Sequence, residues 1–206
     1  VVPLPTATIA GTTTICSGST TTITFTGTPN ATVTYTVDSG ANQTITLDAA
    51  GNATVTTPAL TSDSTYSLVS VASAGTLSCS QSQTGSAIVS VISLPTATIS
   101  GSTTICSGGT ATITFTGTPN ATVTYTVNSG PNQTIILNAA GTASLTTPAL
   151  TANTTYDLVS VASSGTPSCS QTQSGSATLT IAPLPTATIS GTTSICSGAT
   201  ATVSFN

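Results

Sequence analysis

Apolar and polar residues alternate along most of this chain with a period of two. Over 21–27, Ile23 and Phe25 share one face and threonines separate them. Over 31–37, Val33, Tyr35 and Val37 share a face, while Thr32, Thr34 and Thr36 point the other way. Successive side chains of a strand lie on opposite faces, so these runs predict half-buried β-strands, and helical spacing is absent. Threonine suits the outer face because it is β-branched yet polar. Turn residues separate the runs: GTPN at 27–30, DSGAN at 38–42, DAAGN at 48–52 and TPALTSDS at 57–64. The pattern predicts strands over 5–15, 20–26, 31–37, 43–48, 52–57, 65–72 and 84–92. Val69 and Val71 fall out of phase with Tyr66 and Leu68, so that strand either carries a bulge or forms no regular corner.

The pattern recurs. LPTATI begins at Leu4, Leu94 and Leu184, and Cys16, Cys106 and Cys196 keep the same interval, as do Cys79 and Cys169. Aligned without a gap, 4–93 and 94–183 are identical at 65 of 90 positions. They are successive copies of one domain. Residues 1–3 are expected to be the tail of a preceding copy, and 184–206 the first strands of a further, truncated one. A unit of this size can bury its own core, unlike the shorter repeats of a solenoid. The expected fold class is therefore all-β: tandem immunoglobulin-like, seven-strand antiparallel β-sandwiches in an extended array.

Composition narrows the chemistry. The chain of 206 residues has no Lys, Arg, His, Met, Trp or Glu, and its acids are Asp38, Asp48, Asp63 and Asp157, giving a net charge of −4. Without cations it cannot neutralise phosphates or gain from an anionic membrane surface, so neither nucleic acid nor such a membrane is an expected partner. A Ser-His-Asp or Cys-His pair cannot be assembled, and no tuned His, Glu or Lys can act as a general base, so no enzyme is expected. The acids stand singly and no CxxC occurs, so no metal or other cofactor is expected. No apolar run approaches the ~20 residues of a membrane helix, and membrane insertion is not expected here.

Five cysteines leave an odd count. If neighbouring strands alternate in direction, Cys16 lies in a turn at one end of the sandwich and Cys79 in the loop before the last strand, at the other end. A seven-residue strand spans roughly 23 Å, whereas a disulfide needs Cα atoms within ~7 Å. Geometry thus favours Cys16–Cys169, between copies, with Cys79, Cys106 and Cys196 pairing beyond residues 1–206. The alternative, Cys16–Cys79 and Cys106–Cys169 within copies, stays open, because loop entropies separate the two by under about 1 kcal/mol. Either implies an oxidising compartment. A staple beside the proline-flanked joints SLPT (93–96) and PLPT (183–186) would keep neighbouring copies from hinging.

LTSDSTYSLVSV (60–71) and LTANTTYDLVSV (150–161) resemble the corner between the fifth and sixth strands of fibronectin type III and related immunoglobulin-like modules. The resemblance implies that Tyr66 and Tyr156 are tyrosine-corner residues; the alternative is an ordinary core tyrosine. The wider frame PTATISG, ICSG, TFTG, LTTPALTANTTYDLVSVASSG and CSQTQSGSATLTI resembles the tandem immunoglobulin-like repeats of very long Bacteroidota surface proteins, including repetitive adhesins of the gliding-motility type. That resemblance implies type IX secretion, an extracellular cell-surface location and a role in cell adhesion or gliding. It also implies that DST at 63–65 makes Ser64 a candidate O-glycosylation site, whereas NTT at 153–155 lacks the aspartate. The leading expectation is a structural stalk or filament segment. Its partners are neighbouring repeats of the same chain, with lateral self-association as a further candidate because the strand edges lack guarding charge. A surface or glycan ligand would sit at a distal tip. The alternative function is that Thr-rich faces themselves bind carbohydrate or ice.

Overall fold

The computed structural model describes residues 3–75 and 78–206, so the expected tail of a preceding copy at 1–3 lies largely outside the described residues. Among the described residues every regular element is a strand. The chain forms two compact units. One is built on residues up to Thr96 and takes in Asn120–Thr122 and Val161–Thr172; the other comprises Ala97–Pro119, Val123–Ser160 and Gln173–Asn206.

The first copy contributes β1 (Ala7–Ala10), β2 (Thr13–Cys16), β3 (Thr22–Gly27), β4 (Thr32–Val37), β5 (Gln43–Thr46), β6 (Asn52–Thr56), β7 (Ser64–Ala72), β8 (Ser80–Ser82) and β9 (Ser86–Ile92). One sheet has the order β1-β3-β6; the other runs β2-β9-β7-β4-β5, with β8 beside β7. Ile23 and Phe25 from the first sheet meet Val33, Tyr35, Leu68 and Val89 from the second, all buried. Phe25 and Tyr35 ring centroids lie 4.9 Å apart, and Tyr35 and Tyr66 stack at 6.5 Å. Fully burying a side chain of this kind contributes roughly 1.5–3 kcal/mol, which is what holds the two sheets face to face.

The expected strand over 5–15 is two strands in two sheets. At Gly11 φ is +126°, and a Cβ there would come within 2.8 Å of the Thr22 carbonyl oxygen, so the chain turns where only glycine fits. Beyond it β2 pairs with β9 in parallel, Cys16 opposite Ile92, a departure from the wholly antiparallel expectation. The expected phase break is a bulge. Thr34 pairs with Ser70 but Tyr35 with Leu68, leaving Val69 as the extra residue. Leu68 and Val71 therefore both reach the core, which strict alternation forbids.

The second copy repeats this with β10 (Ala97–Ser100), β11 (Thr103–Cys106), β12 (Thr112–Gly117), β13 (Thr122–Val127), β14 (Gln133–Ile136), β15 (Thr142–Thr146), β16 (Thr154–Ala162), β17 (Ser170–Thr172) and β18 (Ser176–Ala182). Registers agree: Ile9 opposite Phe25 becomes Ile99 opposite Phe115. In 184–206, β19 (Ile189–Ser190) and β20 (Ser204–Phe205) pair with Ile189 opposite Phe205, the same register again.

Candidate functional site

The candidate site is the set of cysteines and the turns that present them. Cys16 ends β2, and its turn is pinned by backbone bonds from Ser17 N to the Ile92 carbonyl (2.8 Å) and from Gly18 N to the Leu60 carbonyl (2.7 Å). Cys169 lies between β16 and β17 in a loop closed on Ser163. Ser163 N donates to the Cys169 carbonyl (2.8 Å), and Cys169 N donates to Ser163 Oγ (2.9 Å). The sulfurs of Cys16 and Cys169 are bonded at 2.04 Å, with Cα atoms 5.5 Å apart and a sequence separation of 153. Both residues fall in the first compact unit, and Cys169 is fully buried.

The within-copy alternatives, Cys16–Cys79 and Cys106–Cys169, do not form, and strand direction gives the reason. Cys16 stands beside Ile92 at the end of β9. The antiparallel β7 has Ser67 opposite Ser86 at the start of β9, and it continues beyond that point towards Cys79. The length of the seven-residue β9 alone is roughly 23 Å. Cys79, Cys106 and Cys196 are free thiols in this chain, the first half-buried and the others exposed. Cys79 nevertheless makes the same backbone bonds as Cys169, with Ser73 N donating to its carbonyl at 2.8 Å and its own N donating to Ser73 Oγ at 2.9 Å.

Three of the four acids accept hydrogen bonds in turns, and each is an asparagine in the second copy. Asp38 Oδ1 accepts from Thr65 N (2.6 Å), and Asn128 Oδ1 accepts from Thr155 N (2.8 Å). Asp48 Oδ1 accepts from Ala50 N and Asn52 N (both 2.8 Å); Asn138 Oδ1 accepts from Ala140 N (2.9 Å) and Thr142 N (3.0 Å). Asp63 Oδ1 accepts from Val91 N (2.7 Å), and Asn153 Oδ1 from Ile181 N (2.8 Å). Both side chains offer an oxygen with the reach of an Asx turn, so the shared requirement is an acceptor and the charge is incidental. The fourth acid, Asp157, stands in β16 opposite Ser176, where the first copy has Ser67.

Ser64 is 3% exposed, and its hydroxyl donates to Asp38 Oδ2 at 3.0 Å. A sugar on this oxygen would require that bond to break and the start of β7 to open. Tyr66 and Tyr156 are each the third residue of their strand and are buried in the aromatic row of their copy. Burial pushes the phenols of Tyr35, Tyr66, Tyr125 and Tyr156 above their ordinary value.

Sequence reasoning passed over Ser73 and Ser163, and also Gln81 and Gln171. The glutamine Nε2 atoms donate to the carbonyls of Pro5 (2.6 Å) and Pro95 (2.7 Å), tying the strand after each cysteine to the start of its copy. The available signal was the unchanged CSQ at 79–81 and 169–171. No protein-family model matches the chain, and no curated protein matches it.

Proposed function

We propose that this chain is a stalk or filament segment of a repetitive bacterial surface adhesin of the Bacteroidota, built from immunoglobulin-like copies and supporting cell adhesion or gliding. The observation that carries the reading is the Cys16–Cys169 bond, which covalently joins one sequence copy to the next. A cross-link beside a proline-flanked joint removes hinge freedom, so a string of such copies transmits force as a stiff tether. Applied along an array, the same rule gives Cys79 the cysteine of a preceding copy and gives Cys106 and Cys196 those of later copies. Such a bond needs an oxidising, extracellular setting, in keeping with type IX secretion to the cell surface. Acids that serve as turn acceptors support a structural role over an enzymatic one.

Small-angle scattering of the intact chain, oxidised and as Cys16→Ser, tests this reading. The variant should populate a broader distribution of dimensions while each copy keeps its strand content. Indistinguishable distributions would sink the stiff-tether account. The alternative, ligand binding by Thr-rich faces, draws less support, because Thr8 and Thr26 hydroxyls bond one another at 2.7 Å, as do Thr98 and Thr116. Lateral self-association draws on the uncharged edge strand β5, QTIT.

A further inference from the structure

We propose that Gln171 is a positioning residue for the Cys16–Cys169 cross-link, holding Cys169 where Cys16 can reach it whether or not the sulfurs are bonded. Cys169 and Gln171 stand two residues apart in an extended segment, so their side chains project from the same face. Ser170 between them and Thr172 after them are exposed, whereas Gln171 is half-buried and Cys169 fully buried. From that face Gln171 Nε2 donates to the carbonyl of the buried Pro95 at 2.7 Å.

Pro95 lies three residues beyond Ile92, and Ile92 stands opposite Cys16 in the β2–β9 pair, its carbonyl accepting from Ser17 N at 2.8 Å. The disulfide and the Gln171 bond therefore close one small circuit. It runs from Cys16 across the sheet to Ile92, along the joint to Pro95, over the hydrogen bond to Gln171, back through Ser170 to Cys169, and over the sulfurs to Cys16. Cys16, Pro95, Cys169 and Gln171 all belong to the first compact unit. Along the chain the two cysteines are 153 residues apart, yet around this circuit only the short stretches 92–95 and 169–171 separate them. Closing a short ring at one point leaves less freedom to be lost when it is closed at the other, so the two bonds reinforce one another.

The first copy shows that the arrangement does not need a bonded sulfur. Gln81 Nε2 donates to the carbonyl of Pro5 at 2.6 Å and Cys79 N donates to Ser73 Oγ at 2.9 Å, while Cys79 is a free thiol. A cross-link draws on the fraction of chains whose sulfur is already in place, so a residue that raises this fraction raises the equilibrium constant in proportion. The inference rests on the stiff-tether reading only in concerning the same bond, and adds that the joint itself sets how firmly that bond holds at a given redox poise.

The test is equilibration of the intact chain with glutathione, in a background of Cys79→Ser, Cys106→Ser and Cys196→Ser so that only Cys16 and Cys169 react. In this exchange the two protein thiols become one disulfide as one oxidised glutathione becomes two reduced ones, and the balance gives an effective concentration. Gln171→Met keeps the side-chain length and removes the donor, and should lower that concentration about fivefold, the net worth of one hydrogen bond. Gln81→Met, its counterpart in the first copy, should leave it unchanged; circular dichroism checks strand content in both. In the background chain itself, reduction should speed solvent exchange of the Gln171 side-chain amide, because coupling between two bonds is reciprocal. An unchanged effective concentration in folded Gln171→Met, an equal fall in Gln81→Met, or amide exchange indifferent to reduction would overturn the proposal. The scattering comparison of oxidised and Cys16→Ser chains reads stiffness and not this equilibrium, so the tether reading can fail or stand separately.

Discussion

The two copies differ most instructively where the same local structure carries different chemistry. Asp38, Asp48 and Asp63 in one copy and Asn128, Asn138 and Asn153 in the other accept equivalent backbone bonds. Cys79 and Cys169 make equivalent bonds to Ser73 and Ser163, yet one is a free half-buried thiol and the other is bonded and fully buried. In the turns the side-chain oxygen matters and its charge does not. At the cysteines the backbone bonds to Ser73 and Ser163 are shared, and the availability of a partner sulfur sets the outcome.

The largest difference between copies is expected from the cysteines. Cys169→Ser should lower the unfolding free energy of the first unit by about 2–4 kcal/mol, while Cys79→Ser should change it by less than about 0.5 kcal/mol. Titration with a thiol reagent checks the assignment directly. Three thiols are free, so Cys169→Ser gives three plus the released Cys16, or four, and Cys79→Ser gives three minus one, or two. Equal losses of stability from both variants would erase the contrast.

A smaller effect is expected at the turns. Asp48→Ala leaves two backbone N–H groups without their acceptor and should cost about 1–2 kcal/mol in denaturant unfolding, whereas Asp48→Asn should stay within about 0.5 kcal/mol. The reverse exchange, Asn138→Asp, should be equally mild. A large cost for Asp48→Asn would mean that charge matters there after all.

No difference between copies is expected at high pH. The chain's four tyrosines are buried, and their phenols titrate above the ordinary value of 10.0. The folded state thus holds these protons more tightly than the unfolded state. The associated stability is fully present below pH of about 10 and is lost as pH rises through the folded values. Phenolate absorbance and circular dichroism should therefore change together, with both copies unfolding over one alkaline range. Ionisation of one copy's tyrosines well before the other's would show that their cores are packed differently.

Much of the strand pattern was legible because Ile23, Phe25, Val33 and Tyr35 alternate with threonine, and burial of one face enforces that alternation. The break at Gly11 was not legible, since the apolar and polar spacing runs on across it; the crowding against the Thr22 carbonyl exists only once β3 is alongside. The three-residue β8 carries too little pattern to announce itself. At the candidate site, the cysteine pairing could be argued from strand direction, but Ser73, Ser163, Gln81 and Gln171 act on backbone atoms that no spacing rule brings near them.

By itself the sequence determined the repeat, the all-β class and the inward-facing residues, because these depend on local periodicity and on repeated composition. The tertiary structure decided that β2 pairs in parallel with β9, which reading of the phase break at Val69 holds, and which of the two open cysteine pairings Cys16 makes. Those outcomes depend on which distant segments can occupy the same few ångströms, a condition set by the direction and register of whole strands and by no single stretch of chain.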